Sequence, residues 1–423
     1  MIKKICRKLK KVLQDFNSMI LKGNRQDRIN FIKKYKNHLL KLRNRLNNKR
    51  NAEQKRQFEK QMKDYLDAIK TYPSKQFILM FSGTTFIQEK RGNRPIRLTN
   101  AWSKAGIPVL FSYYRWNSLD DIPVHSPEHV FQMPIDYTMQ YLEQLIYYDY
   151  GDKEKVFVVS FPYPELARYI GILKMNNWKV IYDVRDNWEE FHKVNMAKWY
   201  DEAMEKYFVC NCDIVCAVAK PLQAKMQQYT TQNQVRLSPN ALDSNFYIER
   251  QEKNTDEDKE VLKVAYVGHL SAGWFNWEAI IEVAAIKPRW IFEIVGHFEP
   301  NGLKLPENIK LLGSKSHEEI RQLAKKWDVA MIPFKMGELS DCVDPIKIYE
   351  YLAMGLPVVS FKMPQIHDYP NTYIAYSNEE FIEKIMEAAK TPFDHKTNES
   401  FLAANTWEVR AQQLLKWTSE EER

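Results

Sequence analysis

The stretch DPIKIYEYLAMGLPVVS, Asp344 to Ser360, reads as a short helix stopped by Gly355 and Pro357 and followed by an apolar strand. Asp344 as N-cap and Pro345 at the first helical position would open that helix. Glu350 falls on the stripe of Ile346 and Ala353, so a carboxylate sits on an otherwise apolar face. Two readings are open for it. One is a pair with Lys347 at i,i+3, contributing about 0.2–0.5 kcal/mol on an exposed helix. The other is a carboxylate held out for a ligand.

Outward from this stretch, apolar strand-like runs alternate with helical patterns from Gln76 onward, which predicts parallel sheets covered on both faces. FILMFSG, IPVLFSYY, KVFVVSF, KVIYDVRD and DIVCAVA are the strands of the first half, with helices over RLTNAWSKAG and PELARYIGILKMNN. The stretch Arg250 to Glu260, RQEKNTDEDKE, has no apolar residue and marks a link. The alternation then restarts with VLKVAYVGHL, WIFEIVGHF, NIKLLGS, DVAMIPFK and PVVSF. The expected organisation is α/β: a basic helical arm at 1–72, a doubly wound domain at 73–249, a linker at 250–260 and a second such domain at 261–423. The last helix has the option of returning to the first domain. Two such domains in tandem enclose a cleft at the carboxyl ends of their strands, where ligands bind. The loops there, among them YYRWN, FPYPE, RDNWEEF and GHLSAGWF, are polar and aromatic, as loops carrying function are.

The net charge of +8 is unevenly spread: residues 1–70 hold 22 Lys and Arg against 6 Asp and Glu, and the rest hold 40 against 48. A basic arm therefore precedes an acidic body. In the arm, Ile2, Ile5, Leu9, Val12, Leu13, Phe16 and Ile20 recur at helical spacing, with six Lys and Arg between Lys3 and Lys11 on the other face. That pattern suits an anionic membrane surface; a helical hairpin docking on the body is the alternative. Stacking aromatics and glycine-rich elements of a nucleic-acid arm are missing. No run of about 18 apolar residues spans a membrane, and the N-terminus lacks a secretory signal. Cys210, Cys212 and Cys216 read as reduced core residues of a cytosolic protein.

DPIKIYEYLAMGLPVVS resembles the C-terminal motif of the GT-B glycosyltransferases, in particular the retaining family 4 (glycosyl transferases group 1). YVGHLSAGWFNWEAI, NIKLLGSKSHEEIRQLAKKWDVAMIPF, SPNALDSNF and YDVRDNWEEF are similar to other segments of that family, in the same order, over residues 76 to 420. The resemblance implies a GT-B fold of two Rossmann-like domains. It also implies transfer of a sugar, with retention, from a nucleotide-diphosphate sugar to an acceptor hydroxyl. Glu350 matches the family's second motif glutamate, which accepts hydrogen bonds from the donor ribose. The donor-binding candidates are Glu350, Lys347, His269, Gly268, Ile346, Asn240 and Lys335. Arg185, Asp186 and His192 are the catalytic candidates, Arg185 as a positive charge for the leaving diphosphate and Asp186 and His192 to orient the acceptor. The resemblance further implies that the leaving phosphate takes the acceptor proton, so no separate base is required.

The sequence departs from the family at two places. Cys342 stands eight positions before Glu350, where the family has its first glutamate, with Glu338 and Asp341 out of register. The basic residues that many members place after the first strand of the second domain are missing from GHLSAGWFNW. No metal site and no cofactor beyond the co-substrate are indicated. The expected acceptor is a glycan, lipid-linked or membrane-borne, in cell-surface polysaccharide synthesis. The expected location is the cytoplasmic face of the membrane, reached through residues 1–24, with no nucleic acid as partner. The alternative is a non-catalytic GT-B scaffold or sugar-nucleotide sensor.

Overall fold

The structure, a computed structural model, describes residues 53, 55–88, 92–115, 123, 125–232, 234–243 and 261–420. The chain divides into two units, Met1–Ala68 and Ile69–Arg423. In the first unit residues 55–68 are helical. The basic segment to residue 52, with the membrane-surface reading that falls on it, lies outside the described residues, as does the acidic link at 250–260.

In the second unit, the first domain runs β1 (Gln76–Phe81), α1 (Arg94–Lys104), β2 (Val109–Tyr113), β3 (Val130–Pro134), α2 (Ile135–Tyr147) and β4 (Glu154–Val159). It continues through α3 (Ile170–Met175), β5 (Trp178–Val184), α4 (Trp188–Lys193), α5 (Glu202–Asn211), β6 (Ile214–Ala217), α6 (Lys220–Gln227) and β7 (Arg236–Leu237). The second domain opens with β8 (Lys263–His269), α7 (Trp277–Ile286), β9 (Ile291–His297), β10 (Ile309–Gly313), α8 (His317–Ala324) and β11 (Val329–Ile332). After α9 (Glu338–Asp341), α10 (Ile346–Ala353), β12 (Val358–Phe361) and β13 (Thr372–Ala375), three helices close the chain. These are α11 (Asn378–Lys390), α12 (His395–Ala404) and α13 (Trp407–Ser419).

Both sheets are parallel, in the orders β3-β2-β1-β4-β5-β6-β7 and β10-β9-β8-β11-β12-β13. Burial on both faces explains the continuous apolar runs: every residue of β2, and all of β1 after Gln76, is buried. Three strands are additional to those read from sequence, the two-residue β7 among them. β3 carries Gln132 within its run, where the amide accepts from Ile87 N at 2.7 Å; β13 is a half-buried strand at the sheet edge. The helix expected over 164–177 is a 3-10 turn, Pro164–Tyr169, leading into α3. Cys212 and Cys216 are buried thiols, whereas Cys210 is exposed, a correction to its reading as core.

The last helix sits on the first domain. Trp407, Ala411, Leu414 and Leu415 belong to the same apolar cluster as Ile78, Ile96 and Phe111, and Trp102 Nε1 donates to Ala411 O at 3.1 Å. The returning chain passes beside residue 242, where Leu242 N donates to Asn405 O at 2.8 Å.

Candidate functional site

Helix α10 has Met354 as its C-cap, and Gly355 beyond it takes φ +65°, the left-handed turn that closes a helix C-terminus. Its start differs from the expected capping. Pro345 is the N-cap residue, with no side-chain cap. Asp344 is buried and accepts from Asn240 N at 2.6 Å, Tyr349 OH at 2.9 Å and Tyr369 OH at 3.1 Å. Burial pushes its pKa up to about 6 against the pull of those donors. Asn240 Nδ2 donates to Asp344 O at 2.5 Å, and its Oδ1 accepts from Arg94 Nη1 at 3.3 Å. Arg94 itself forks onto Asp183 from Nε, at 3.0 and 2.8 Å. The polar contacts of Asn240 thus join the two domains.

Glu350 and Lys347 do not pair. Lys347 Nζ lies 4.7 Å from the centre of the Phe334 ring and 5.3 Å from that of Tyr266, a cation on two aromatic faces. Burial lowers its pKa to about 8, with Glu350 opposing. Gly268 makes room: a Cβ there would stand 2.8 Å from Tyr266 OH and 3.1 Å from Lys347 Cε, and its φ is +154°. Glu350 is half-buried. Burial raises its pKa, and the charges of Arg97 and then Lys347 lower it. Arg97, on α1 of the first domain, is ion-paired with Asp243. Ile346 packs against the first domain's core cluster. One side of α10 therefore presents Ile346 and Glu350 toward the first domain.

His269, at the end of β8, accepts at Nδ1 from Ser271 N at 3.3 Å. Its ring lies 4.9 Å from that of Phe298. Burial, then His297 and Lys347, lower its pKa, so the neutral ring presents Nε2–H near the lysine.

The loop after β5 faces this assembly. Asp186 is half-buried, and burial raises its pKa to about 6 despite Arg185. The Arg185 guanidinium lies 5.2 Å from the Trp188 ring centre. Its Nε stands 3.5 Å from Asp186 Oδ2, and the Nε1 of Trp188 is a buried donor with no hydrogen-bond partner among the described residues, which is unusual unless a ligand supplies one. Asn187 Nδ2 reaches Cys342 Sγ at 3.5 Å, and Phe191 meets Trp274 edge-on at 5.2 Å. Cys342 thus faces the first domain across the cleft.

Gly268, His269, Lys347, Glu350 and Ile346 come together around α10, and Arg185 and Asp186 lie on the lip opposite α9. His192 is exposed, its Nδ1 2.9 Å from Ala197 O. Lys335 is exposed beside Phe334 and joins Trp274 through its backbone N–H at 2.9 Å. Arg97 and Trp188 were missed at the level of sequence. Arg97 sits in an ordinary amphipathic helix pattern, and only the approach of the two domains brings its charge to Glu350. Among the described residues, no group of three or more His, Cys, Asp or Glu could hold a metal ion.

The two facing Rossmann-like domains are a GT-B fold. Residues 262–391, which include α10, match the family model described as glycosyl transferases group 1. Over 125 residues the chain is 27% identical to the putative teichuronic acid biosynthesis glycosyltransferase TuaH of Bacillus subtilis (strain 168). That alignment covers 28% of this chain and 31% of TuaH, so the chain spans about a third of that relative's length. Among solved structures, sucrose-phosphate synthase from Thermosynechococcus elongatus superposes with TM-score 0.58 at 16% identity, over 81% of this chain and 98% of that one. Anabaena HepE in complex with UDP and glucose gives TM-score 0.56 at 15% identity, over 81% and 99%. At such identities the likeness speaks to the fold.

Proposed function

We propose that the protein is a retaining, metal-independent glycosyltransferase that moves a sugar from a nucleotide-diphosphate sugar to a hydroxyl of a glycan in cell-surface polysaccharide synthesis. The observation that carries this reading is the arrangement on α10: an unpaired Lys347 ammonium on Tyr266 and Phe334, one turn from the Glu350 carboxylate. Glu350 accepts hydrogen bonds from the ribose diol, and the lysine faces the diphosphate, with His269 Nε2–H as a second donor. In transfer, the bond from the anomeric carbon to the phosphate oxygen breaks and one to the acceptor oxygen forms on the same face. The acceptor proton passes to the leaving phosphate. Negative charge grows on that phosphate, and a desolvated cation stabilises it more than one in water. Asp186 and Arg185, on the opposite lip, orient the acceptor.

Support for the substrate class comes from the match to group 1 glycosyltransferases and from the similarity to TuaH, named for teichuronic acid biosynthesis. HepE, whose structures hold UDP and UDP-glucose, favours a uridine donor. WaaB, a lipopolysaccharide outer core galactosyltransferase of similar fold, favours a surface-glycan acceptor. The basic pattern of residues 1–24 suits attachment to the anionic inner face of the membrane, where a lipid-linked acceptor resides.

The test is a thermal-shift panel of nucleoside diphosphates and their sugars on wild type and Glu350→Ala. One nucleotide stabilising only the wild type supports the site, since a ligand at a hundred times its Kd adds about 2.7 kcal/mol. No shift with any nucleotide favours the second reading, a non-catalytic scaffold or sensor, for which Cys342 in place of the family's first glutamate speaks.

A further inference from the structure

We propose that the carboxyl ends of β2, β3 and β4 form a subsite for a neutral pyranose ring, built on Tyr114, Tyr163 and the Arg115–Asp136 pair. Only the identification of that ring as part of the acceptor rests on the glycosyltransferase reading.

The place follows from topology. In the order β3-β2-β1-β4, the chain leaves β1 to one side and returns on the other, so the ends of β1 and β4 border the crevice of the first sheet. Gly83, at φ +60°, carries the loop after β1 directly onto Phe161: a Cβ there would meet that ring at 2.4 Å. Tyr163 follows, 5.7 Å from Phe161 and 5.6 Å from Phe81 between ring centres, and half-buried. From the other side, Tyr114 is held by its N–H to Thr84 O at 2.7 Å and is 42% exposed. Aromatic faces so placed accept the C–H face of a sugar ring.

The polar partners match a ring of hydroxyls. The Arg115 side chain is 9% exposed and forks onto Asp136, with Nε to Oδ1 at 3.1 Å, while lying 5.0 Å from the Tyr137 ring centre. Asp136 is 52% exposed, so the carboxylate keeps lone pairs for further donors. A planar fork next to a carboxylate offers donors and acceptors together, as vicinal hydroxyls require.

Charge decides the class of sugar. Arg115 is neutralised by Asp136, and Glu165 adds a second carboxylate beside Tyr163. Burial, then Glu165, with Tyr114 and Asp136 contributing, push the Tyr163 pKa up, as expected of a ring among carboxylates. A uronate or phosphate on the sugar would meet an excess of negative charge. From Tyr163 an aromatic wall continues through Phe161 to Trp199 at 5.1 Å and Trp188 at a further 5.1 Å, ending at Arg185 and Asp186. The packing that holds Tyr163 is therefore shared with the loop that carries Arg185 and Asp186.

The test is saturation-transfer NMR on the full chain without nucleotide. The probes are methyl glucopyranoside, methyl galactopyranoside and methyl glucuronopyranoside, on wild type, Asp136→Asn and Tyr163→Ala, with melting curves showing each variant folded. The proposal expects at least one neutral glycoside to bind about tenfold more tightly than the uronoside. Tyr163→Ala should lose that binding, and Asp136→Asn should narrow the preference. Equal or tighter binding of the uronoside overturns it, as do variants indistinguishable from wild type or the binding of no glycoside. Glycoside binding with no nucleotide shift in the thermal panel would leave this subsite standing and remove the transferase reading.

Discussion

The Lys347 ammonium lies 4.7 Å from the centre of the Phe334 ring, with an aromatic face where an ion-pair partner would ordinarily be. A charge held this way is desolvated in advance of any ligand, and it has no carboxylate to release when an anion arrives. This separates Lys347 from Lys193, which is bound to Glu189 and Glu190.

Replacing Lys347 by Met should lower kcat/KM for the sugar nucleotide by about a hundredfold, corresponding to about 2.7 kcal/mol of transition-state stabilisation. Lys347→Arg should recover only part, since a planar guanidinium does not fit beside Gly268 as an ammonium does. Steady-state kinetics with each variant checks both values.

The pH dependence of nucleoside diphosphate binding should follow the same lysine. Its pKa is lowered to about 8, so the free protein loses the charge, and affinity, as pH rises above about 8. The unfolded chain keeps its proton up to about 10.4. Between these values the unfolded state binds more protons, so Lys347 makes the unliganded protein more stable as pH rises through that window. Calorimetric titration between pH 7 and 10, compared with Lys347→Met, reads the first effect. Denaturant melts of the same two proteins read the second.

Two carboxylates six residues apart should behave oppositely on removal. Asp344→Ala removes the shared acceptor of Asn240 N–H and the hydroxyls of Tyr349 and Tyr369, and should destabilise by about 3 kcal/mol. Glu350→Ala removes a carboxylate that burial already disfavours, and should change stability by less than about 1 kcal/mol while abolishing nucleotide stabilisation. Chemical denaturation with and without nucleotide separates the two.

Turnover should be unchanged by EDTA, and the product should carry the anomeric configuration of the donor. Proton NMR of the new linkage reads the configuration directly; inversion or a requirement for added metal would contradict the proposed chemistry.

Binding to vesicles containing anionic lipid should fall steeply with salt and vanish when residues 1–24 are deleted, because the Debye length shrinks from about 10 Å at 0.1 M to about 3 Å at 1 M. Co-sedimentation with neutral vesicles supplies the comparison.

Periodicity made the doubly wound fold legible: the strands buried on both faces carry unbroken apolar runs, and Gly355 and Pro357 punctuate α10 as the helix-stop chemistry requires. It was less clear where burial is partial, as in β13, or where a polar residue interrupts a run, as Gln132 does in β3.

The same limit applies to the site. Local pattern determined that Glu350 shares a helix with Lys347, and that a carboxylate breaks an apolar stripe there. Whether the two pair is a matter of which neighbours lie closer in space. Only tertiary structure placed Lys347 on Tyr266 and Phe334, brought Arg97 opposite Glu350, and turned Asp344 from a helix cap into a junction between domains. The reason is physical: backbone periodicity and turn chemistry act over a few residues, whereas the field and solvation at a charged group are set by whatever the fold packs around it.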